Sequence, residues 1–587
     1  MMRGWGGGGS QPCRSLLQRK RSELVSEDGI LFLGVCLPAG LAYEIQSGDS
    51  QPATTTALPT TSTMKRLFAA ALTVRVASVF LVQTNFVPDE YWQSVEVAHE
   101  SAFGYGHLTW EWDGATALRG PGFAWVFAAS FRVLAMLGID SAAAVVATPR
   151  LCMAILAALG DVATYRLAAR IFGSDETARC AALFSLTSWF HWFAGSRTLL
   201  NSLESSLNAV AMAYWPFGGG VDDAAARPAV ALAIAALACV LRPTAAITWV
   251  FLGLARLANQ PHSRVRFLAL EVVPTACVAL AACALLDRVR YGIWTLTPLN
   301  FLHFNVLARG NEFFGVHAWH WYASQGVPTI GATLLPAAAL GFARAEGFGR
   351  RALGGAALWL VAVCSLQGHK EFRFIMPVLP ALCVYAAHCV ATLKARPALQ
   401  RAVLVVILAT QIPAALYFGL VHQRGALDAM KDVAALARSG ELRSAHFWMP
   451  CHSTPLYSHV HAPVELRFFD CSPPPYATPR GAQQHEDAAF FADPAAALRE
   501  IYVDRNWTWA EGGRGWALPT HVLLFEHLLE SHPAVSTFLD AQGYAVRTRY
   551  FHVHFPVDDR ARGRVVLYAR AGGDSGGVEE LARSKEL

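Results

Sequence analysis

Charge is scarce in this chain. Only 16% of its 587 residues are charged, against about 25% in a typical soluble domain. The shortfall argues against a soluble protein and, with many long apolar runs, points to repeated membrane crossings. The net charge of +5 is scattered, and no basic block suits a nucleic-acid partner. The twelve cysteines include no CxxC pair, so no zinc site is expected. Lipid excludes irregular backbone, so the crossings should be helices.

Residues 1–63 carry a glycine run, a Gln/Thr/Ser-rich stretch and one short apolar patch. They are expected to form a disordered extension. Met64-Lys65-Arg66 then leads into Leu67–Gln83, read as an uncleaved membrane anchor. Eleven further apolar segments follow, near 121–138, 143–163, 178–194, 203–216, 228–241, 244–258, 267–286, 328–343, 353–366, 374–393 and 402–420. Basic clusters at Arg256/Arg264/Arg266, Arg344/Arg350/Arg351 and Lys394/Arg396/Arg401 mark cytosolic connections. Segments 287–327 and 367–372, and everything after about 421, then fall on the luminal side, as do Asp89 and Glu90. Arg166, Arg170 and Arg179 also look cytosolic, so one of 121–138 and 143–163 should not span fully. Residues 421–570 are more polar and should form a small luminal α/β domain, with 571–587 a disordered tail. Asn506-Trp507-Thr508 is a glycosylation sequon there, and Cys451 and Cys471 could pair in an oxidising compartment.

Four polar clusters share the luminal side. The first is Asp89/Glu90, where an apolar helix meets water after Pro88. The second is a loop from Asn300 to Tyr322 that contains His317, Trp319 and His320. The third is Gly368-His369-Lys370-Glu371-Phe372-Arg373-Phe374. The fourth runs from Met449 through Cys451 and His452 to His461. A carboxylate can take a proton from an attacking hydroxyl. His369, Lys370 and Arg373 can hold a phosphate and stabilise its charge as a bond to it breaks. Together they suit glycosyl transfer from a lipid phosphate. His452, His459 and His461 have no familiar zinc spacing.

Phe86-Val87-Pro88-Asp89-Glu90-Tyr91-Trp92-Gln93 resembles the first luminal loop of the dolichol-phosphate-mannose-dependent mannosyltransferases of glycosyltransferase family 22. His369-Lys370-Glu371-Phe372-Arg373-Phe374 resembles a second signature of that family. Tyr105–Trp112, Leu241-Arg242-Pro243-Thr244, His317–Tyr322, Gly419–Gly425 and Met449–Pro455 are similar to the members that build GPI anchors. The resemblance implies an all-α polytopic membrane protein of the GT-C glycosyltransferase fold, with about 10–12 transmembrane helices over 64–420. It implies transfer of mannose, by an α-1,2 linkage and with inversion, from dolichol-phosphate mannose to the second mannose of a GPI-anchor precursor glycolipid, in the endoplasmic reticulum membrane. Asp89 is then the expected base, with Glu90 orienting it or holding acceptor. His369, Lys370 and Arg373 are expected to bind the donor phosphate, and His317, Trp319 and His320 to bind substrate. No metal and no cofactor are expected, because the basic cluster can serve the leaving phosphate and Asp89-Glu90 is not a spaced DxD. Arg242 is assigned to the cytosolic end of its helix and left out of the site. The alternatives are a family member acting on the N-glycan lipid precursor, one adding a fourth GPI mannose, or, from another class, a transporter. No transporter-like paired halves are visible.

Overall fold

The computed structural model describes residues 61–217, 226–259, 264–473, 486–507 and 515–571. Residues 1–60 of the disordered extension expected over 1–63, and the tail beyond residue 571, lie outside the described residues, while Thr61–Thr63 open a helix.

Among the described residues up to Leu420, every regular element is a helix. Four segments among the described residues are long and apolar enough to cross a bilayer: Ala142–Phe172, Arg264–Tyr291, Phe372–Thr392 and Pro397–Ser439. Tyr322–Gly331 and Leu334–Ala343, bent by 106° against each other, would together make a fifth. The other apolar segments are shorter or interrupted. Pro243, Pro298 and Pro328, which lack an N–H, stand where helices begin or break. Arg264–Tyr291 leaves Leu270, Val273, Val278 and Leu285 exposed along its length, a face suited to lipid rather than water. By contrast, 83% of the most apolar stretch of Phe372–Thr392 is buried by protein. That helix is central, and Arg373 stands at its start.

Close packing in the bundle uses small residues. A Cβ on Gly341 would collide with the Tyr385 carbonyl, so glycine lets Leu334–Ala343 lie directly on Leu379–Thr392. The helix Thr61–Leu81 buries Leu67, Ala71, Val74, Arg75 and Ser78 on one stripe and packs along Ala142–Phe172. On that stripe Arg75 Nη2 meets Asp161 Oδ1 at 2.7 Å, both side chains 2% exposed. Arg75 also donates to the carbonyls of Ser185 and His191.

The uncertain crossing is resolved by the ends of Ala142–Phe172. Ser141 caps its start, accepting from the Ala144 N–H, and Gly173 closes its end at φ 63°. At that end Phe172 stacks on His388, the Ile171 carbonyl accepts from Arg350, and Glu176 accepts from Gln400. Arg170 and Arg179 thus join the Arg344–Arg351 and Lys394–Arg401 clusters. At the other end Asp140 lies 3.6 Å from His461. The helix therefore traverses the bundle. Gly122–Met136 does not. It begins beside Leu241 and Leu286, Arg132 donates to the Ser101 carbonyl, and it finishes near Asp140. Its 15 residues are also short of the roughly 20 needed to cross.

After Leu420 the chain forms a five-stranded mixed sheet in the order β2-β1-β3-β5-β4. The strands are β1 (Ser444–Trp448), β2 (Glu465–Phe468), β3 (His521–Phe525), β4 (Tyr544–Phe551) and β5 (Arg564–Arg570). β1 runs parallel to β2 and β3, while β5 is antiparallel to β3 and β4. The central β3 is buried at every position, which accounts for its unbroken apolar run. Helix Gly425–Ser439 lies on one face. Leu427, Met430 and Val433 share a single core with Phe447 of the sheet, with Tyr91 and Trp92, and with Phe123 and Leu200 of the bundle. The segment carrying Asp89 is thus clamped between the sheet and the membrane helices.

Candidate active site

Asp89 follows an irregular stretch of the chain that is held from several directions. The Asn85 N–H donates to the Gln423 carbonyl, Asn85 Nδ2 to the Ser453 carbonyl, and Thr84 Oγ1 to the Phe418 carbonyl. The Pro88 carbonyl accepts from the N–H groups of Tyr91 and Trp92 and so starts the next helix. Asp89 stands in that first turn, its side chain 25% exposed. Its Oδ2 receives a 2.6 Å hydrogen bond from Arg373 Nη1.

Arg373 is nearly buried and doubly committed. Its Nε and Nη2 grip the Glu371 carboxylate at 2.7 and 2.5 Å, the two-pronged geometry a guanidinium favours. His369 Nε2 reaches the same carboxylate at 3.2 Å, and its Nδ1 lies 3.0 Å from the Gly315 carbonyl. Burial works against the charge of Glu371, but the Arg373 charge and the His369 hydrogen bond hold its carboxyl well below the usual range. Burial also opposes the charge of His369, yet Glu371 raises that imidazole above its ordinary value. Lys370 points elsewhere. It is buried and donates to the carbonyls of His317 and Gln367, tying the 315–322 loop over this turn. The three expected phosphate-binding cations thus divide into two that face Glu371 and one that staples a loop.

Glu90 turns away from Asp89. Its Oε2 accepts from Arg197 Nη1 at 2.7 Å, with both side chains essentially buried. Arg197 also bonds Thr84 and the Phe193 carbonyl, and Thr198 Oγ1 bonds the Glu90 carbonyl. The two adjacent acids therefore differ in surroundings: one faces a partly open site, and the other is locked inside.

A further set of charges surrounds Asp89. Glu111 accepts from Arg119 at 2.7 Å and from Gln93 at 3.3 Å. Burial raises its carboxyl pKa, Arg119 opposes that, and the nearby Asp89 adds to it. Arg242 pairs with Glu204 at 2.9 Å, lies over the Phe374 ring, and is within electrostatic reach of Arg373, Arg119 and Asp89. Its expected place at the opposite end of the bundle is corrected. Helix Pro228–Leu241 ends on the Asp89 side, and the Pro243 that follows marks that end. Asn201 Oδ1 lies 3.5 Å from Arg373 Nη1. Glu204 was hidden because it sits in the segment 203–216, which reads as a span, and Asn201 falls just before that segment.

His317, Trp319 and His320 lie on the 315–322 loop, away from the Asp89–Arg373 contact. Trp319 is 77% exposed, His317 stacks on Trp321, and His320 lies 3.2 Å from Ser324 Oγ. Only the backbone of His317 meets the third cluster. Asn506 is exposed, while Thr508 of its sequon lies outside the described residues. Cys451 and Cys471 form a disulfide, and Trp92 packs on the neighbouring His452. Among the described residues the one grouping of metal-type donors is Cys451, Cys471 and Asp487, in which both sulfurs are spent on each other.

The family model described as the Alg9-like mannosyltransferase family matches residues 66–461. The mouse protein GPI alpha-1,2-mannosyltransferase 3 is 40% identical over 509 residues, spanning 86% of this chain and 88% of its own. Mannosyltransferase APTG1 of Arabidopsis thaliana is 35% identical over 529 residues, spanning 86% and 92%. Among solved structures, ArnT from Cupriavidus metallidurans bound to undecaprenyl phosphate aligns with a TM-score of 0.53 at 15% identity, over 88% of this chain and 99% of that one. That last likeness is one of fold.

Proposed function

The chain belongs to the Alg9-like mannosyltransferase family, and from that we propose that it adds the third mannose of a GPI anchor. The donor is dolichol-phosphate mannose, the acceptor is the two-mannose GPI precursor, and the new linkage is α-1,2. The observation that carries this reading is the contact between Asp89 and Arg373, a base beside a phosphate-binding cation. The acceptor hydroxyl attacks C1 of the donor mannose as its proton passes to Asp89. The C1–O bond to phosphate breaks, and its electron pair leaves with the phosphate. Arg373 and protonated His369 stabilise that anion. Glu371 keeps Arg373 aimed, and the bonds to Asp89, Asn201 and Glu371 leave an N–H of Nη2 for the incoming phosphate. In-line attack on the β-linked donor gives the α product with no sugar–enzyme intermediate.

The site faces the lumen of the endoplasmic reticulum in this reading. The Cys451–Cys471 disulfide supports that, since disulfides persist in oxidising compartments. The arginines gathered at the opposite end of Ala142–Phe172 support it too. Glycan removal should speed the gel migration of the protein, and Asn506→Gln should abolish that difference. The decisive assay profiles GPI intermediates in cells lacking the protein. The two-mannose species should accumulate and clear on re-expression. An enzyme adding a fourth mannose, or acting on the N-glycan precursor, would leave that species unchanged.

A further inference from the structure

On the far side of the Glu90–Arg197 pair lies a cavity of about 420 Å³. It is bounded by the helix Thr61–Leu81 and the residues just after it, the start of Ala142–Phe172 and the helix Gly425–Ser439. Its charged lining residues are Arg150, Lys431, Arg438 and Glu90, with Tyr91 and Thr198 among the polar ones. Its wall is apolar, built from Phe80, Val145, Val146 and Met430. Phe80 is 57% exposed, so the wall continues to the outer surface of the bundle.

One buried donor in the lining lacks a partner. Arg150 gives Nη2 to the Val82 carbonyl at 2.8 Å, but its Nε has no acceptor, while the Tyr91 hydroxyl lies beside Glu90. Arg150 makes no ion pair among the described residues. A buried donor left unpaired is costly, so such a group marks where an acceptor belongs. The carboxylates nearby are already committed. Glu90 is bound by Arg197, and Asp428 by Arg424 and Lys431. The lining thus carries three cations against one carboxylate that Arg197 already holds, and most of the rest of it is apolar. That complementarity fits an anionic head carrying hydrocarbon, and the volume suits a phosphate with part of one sugar-like ring.

We propose that this cavity holds the phosphodiester of the acceptor glycolipid, with Arg150 donating to its oxygens and the lipid chains leaving past Phe80. This rests on the reading that the acceptor is a glycan linked to phosphatidylinositol. Donor and acceptor phosphates would then lie on opposite sides of the Asp89–Glu90 turn, one at Arg373 and one at Arg150. The glycan of the acceptor would reach around that turn to Asp89.

The test uses purified full-length protein, dolichol-phosphate mannose and two acceptors. One is the two-mannose glycan on phosphatidylinositol, and the other is the same glycan ending in inositol without the phosphatidyl group. Arg150→Gln should raise KM for the phospholipid acceptor roughly tenfold or more, the worth of a hydrogen bond to a charged group. It should leave KM for the donor unchanged, and KM for the phosphate-free glycan equal to that of the wild type. Lys431→Gln, on an exposed helix face, should give a smaller rise of the same kind and guards against a folding defect in the first variant. Unchanged KM for the phospholipid acceptor in both variants overturns the proposal. So does an equal rise on the phosphate-free glycan, or a rise in donor KM instead. If Arg150→Gln weakens binding to phosphatidylinositol vesicles but not acceptor KM, the cavity serves bulk lipid and the acceptor assignment falls. A wild type that fails to mannosylate either acceptor defeats the functional reading itself, which is a separate result.

Discussion

Asp89 Oδ2 and Arg373 Nη1 lie 2.6 Å apart although 284 residues separate them in the chain. The first expectation follows from this contact. Asp89→Asn preserves shape and the hydrogen bond from Arg373 but removes the proton acceptor, so kcat should fall by about 10²–10⁴ with the protein folded. Arg373→Lys loses the two-pronged grip on Glu371 and should raise donor KM more than acceptor KM. Steady-state kinetics with each substrate varied in turn would check both. Normal turnover in the Asp89 variant would remove it from the role of base.

Glu90 should behave in the opposite way. Glu90→Gln leaves Arg197 charged and buried, a change that costs about 3–5 kcal/mol. The expected result is poor accumulation and a lower Tm, rather than a well-folded, slow enzyme. Comparing detergent-solubilised Glu90→Gln with Asp89→Asn by thermal unfolding separates the two acids.

His369 gives the site a pH dependence. Its pKa is raised by Glu371, so the cationic form persists to higher pH than in a free histidine. Donor capture should weaken, seen as a rising donor KM, as pH climbs through that raised value. His369→Asn should raise donor KM at low pH and flatten the profile. An identical profile in variant and wild type would show that His369 does not act on the donor.

Acid should loosen the clamp over the Asp89 segment. Burial lowers the pKa of His99 and His552 from 6.5 to about 4, and of His446 and His459 to about 3. In the unfolded chain these histidines take up protons from about pH 6.5 downward, while in the folded chain they stay neutral. Stability is therefore fully present above pH 6.5 and is lost progressively toward pH 3. At pH 5 the loss is up to about 2 kcal/mol per histidine. Thermal unfolding at pH 7.5 and pH 5 should show this drop, and His446→Gln, which removes the His446 Nδ1 contact to Tyr502, should reduce it.

The polar groups of the candidate site were legible where they are local in sequence. Asp89 after Pro88, and His369, Glu371 and Arg373 within five residues, are polar groups at apolar boundaries, and such groups stand out in any membrane sequence. Which of them meet was not legible. Glu90 and Asp89 look equivalent in a string of letters, and only the fold gives one to Arg197 and the other to Arg373. Gly122–Met136 has the composition of a crossing, but its length and the contacts at both ends hold it to one side. Arg242 illustrates the same limit. A cation beside a proline reads as a helix end, but not which end of the bundle it marks. The family resemblance implied a substrate-binding role for His317, Trp319 and His320, while the 315–322 loop is tied to the cluster through the backbone of Gly315 and His317 and the Tyr322 hydroxyl.

The buried Arg75–Asp161 pair also bears on how the chain is made. Arg75 sits inside the first apolar helix, and each of its partners, Asp161, Ser185 and His191, is synthesised at least 86 residues later. A lone guanidinium in lipid costs about 2.5–3.5 kcal/mol or more. That helix cannot be released into the bilayer alone at no cost. Its insertion is completed only when the helices emerging behind it arrive, so biogenesis favours co-release of the front of the protein as a group and leaves truncated nascent chains exposed to quality control.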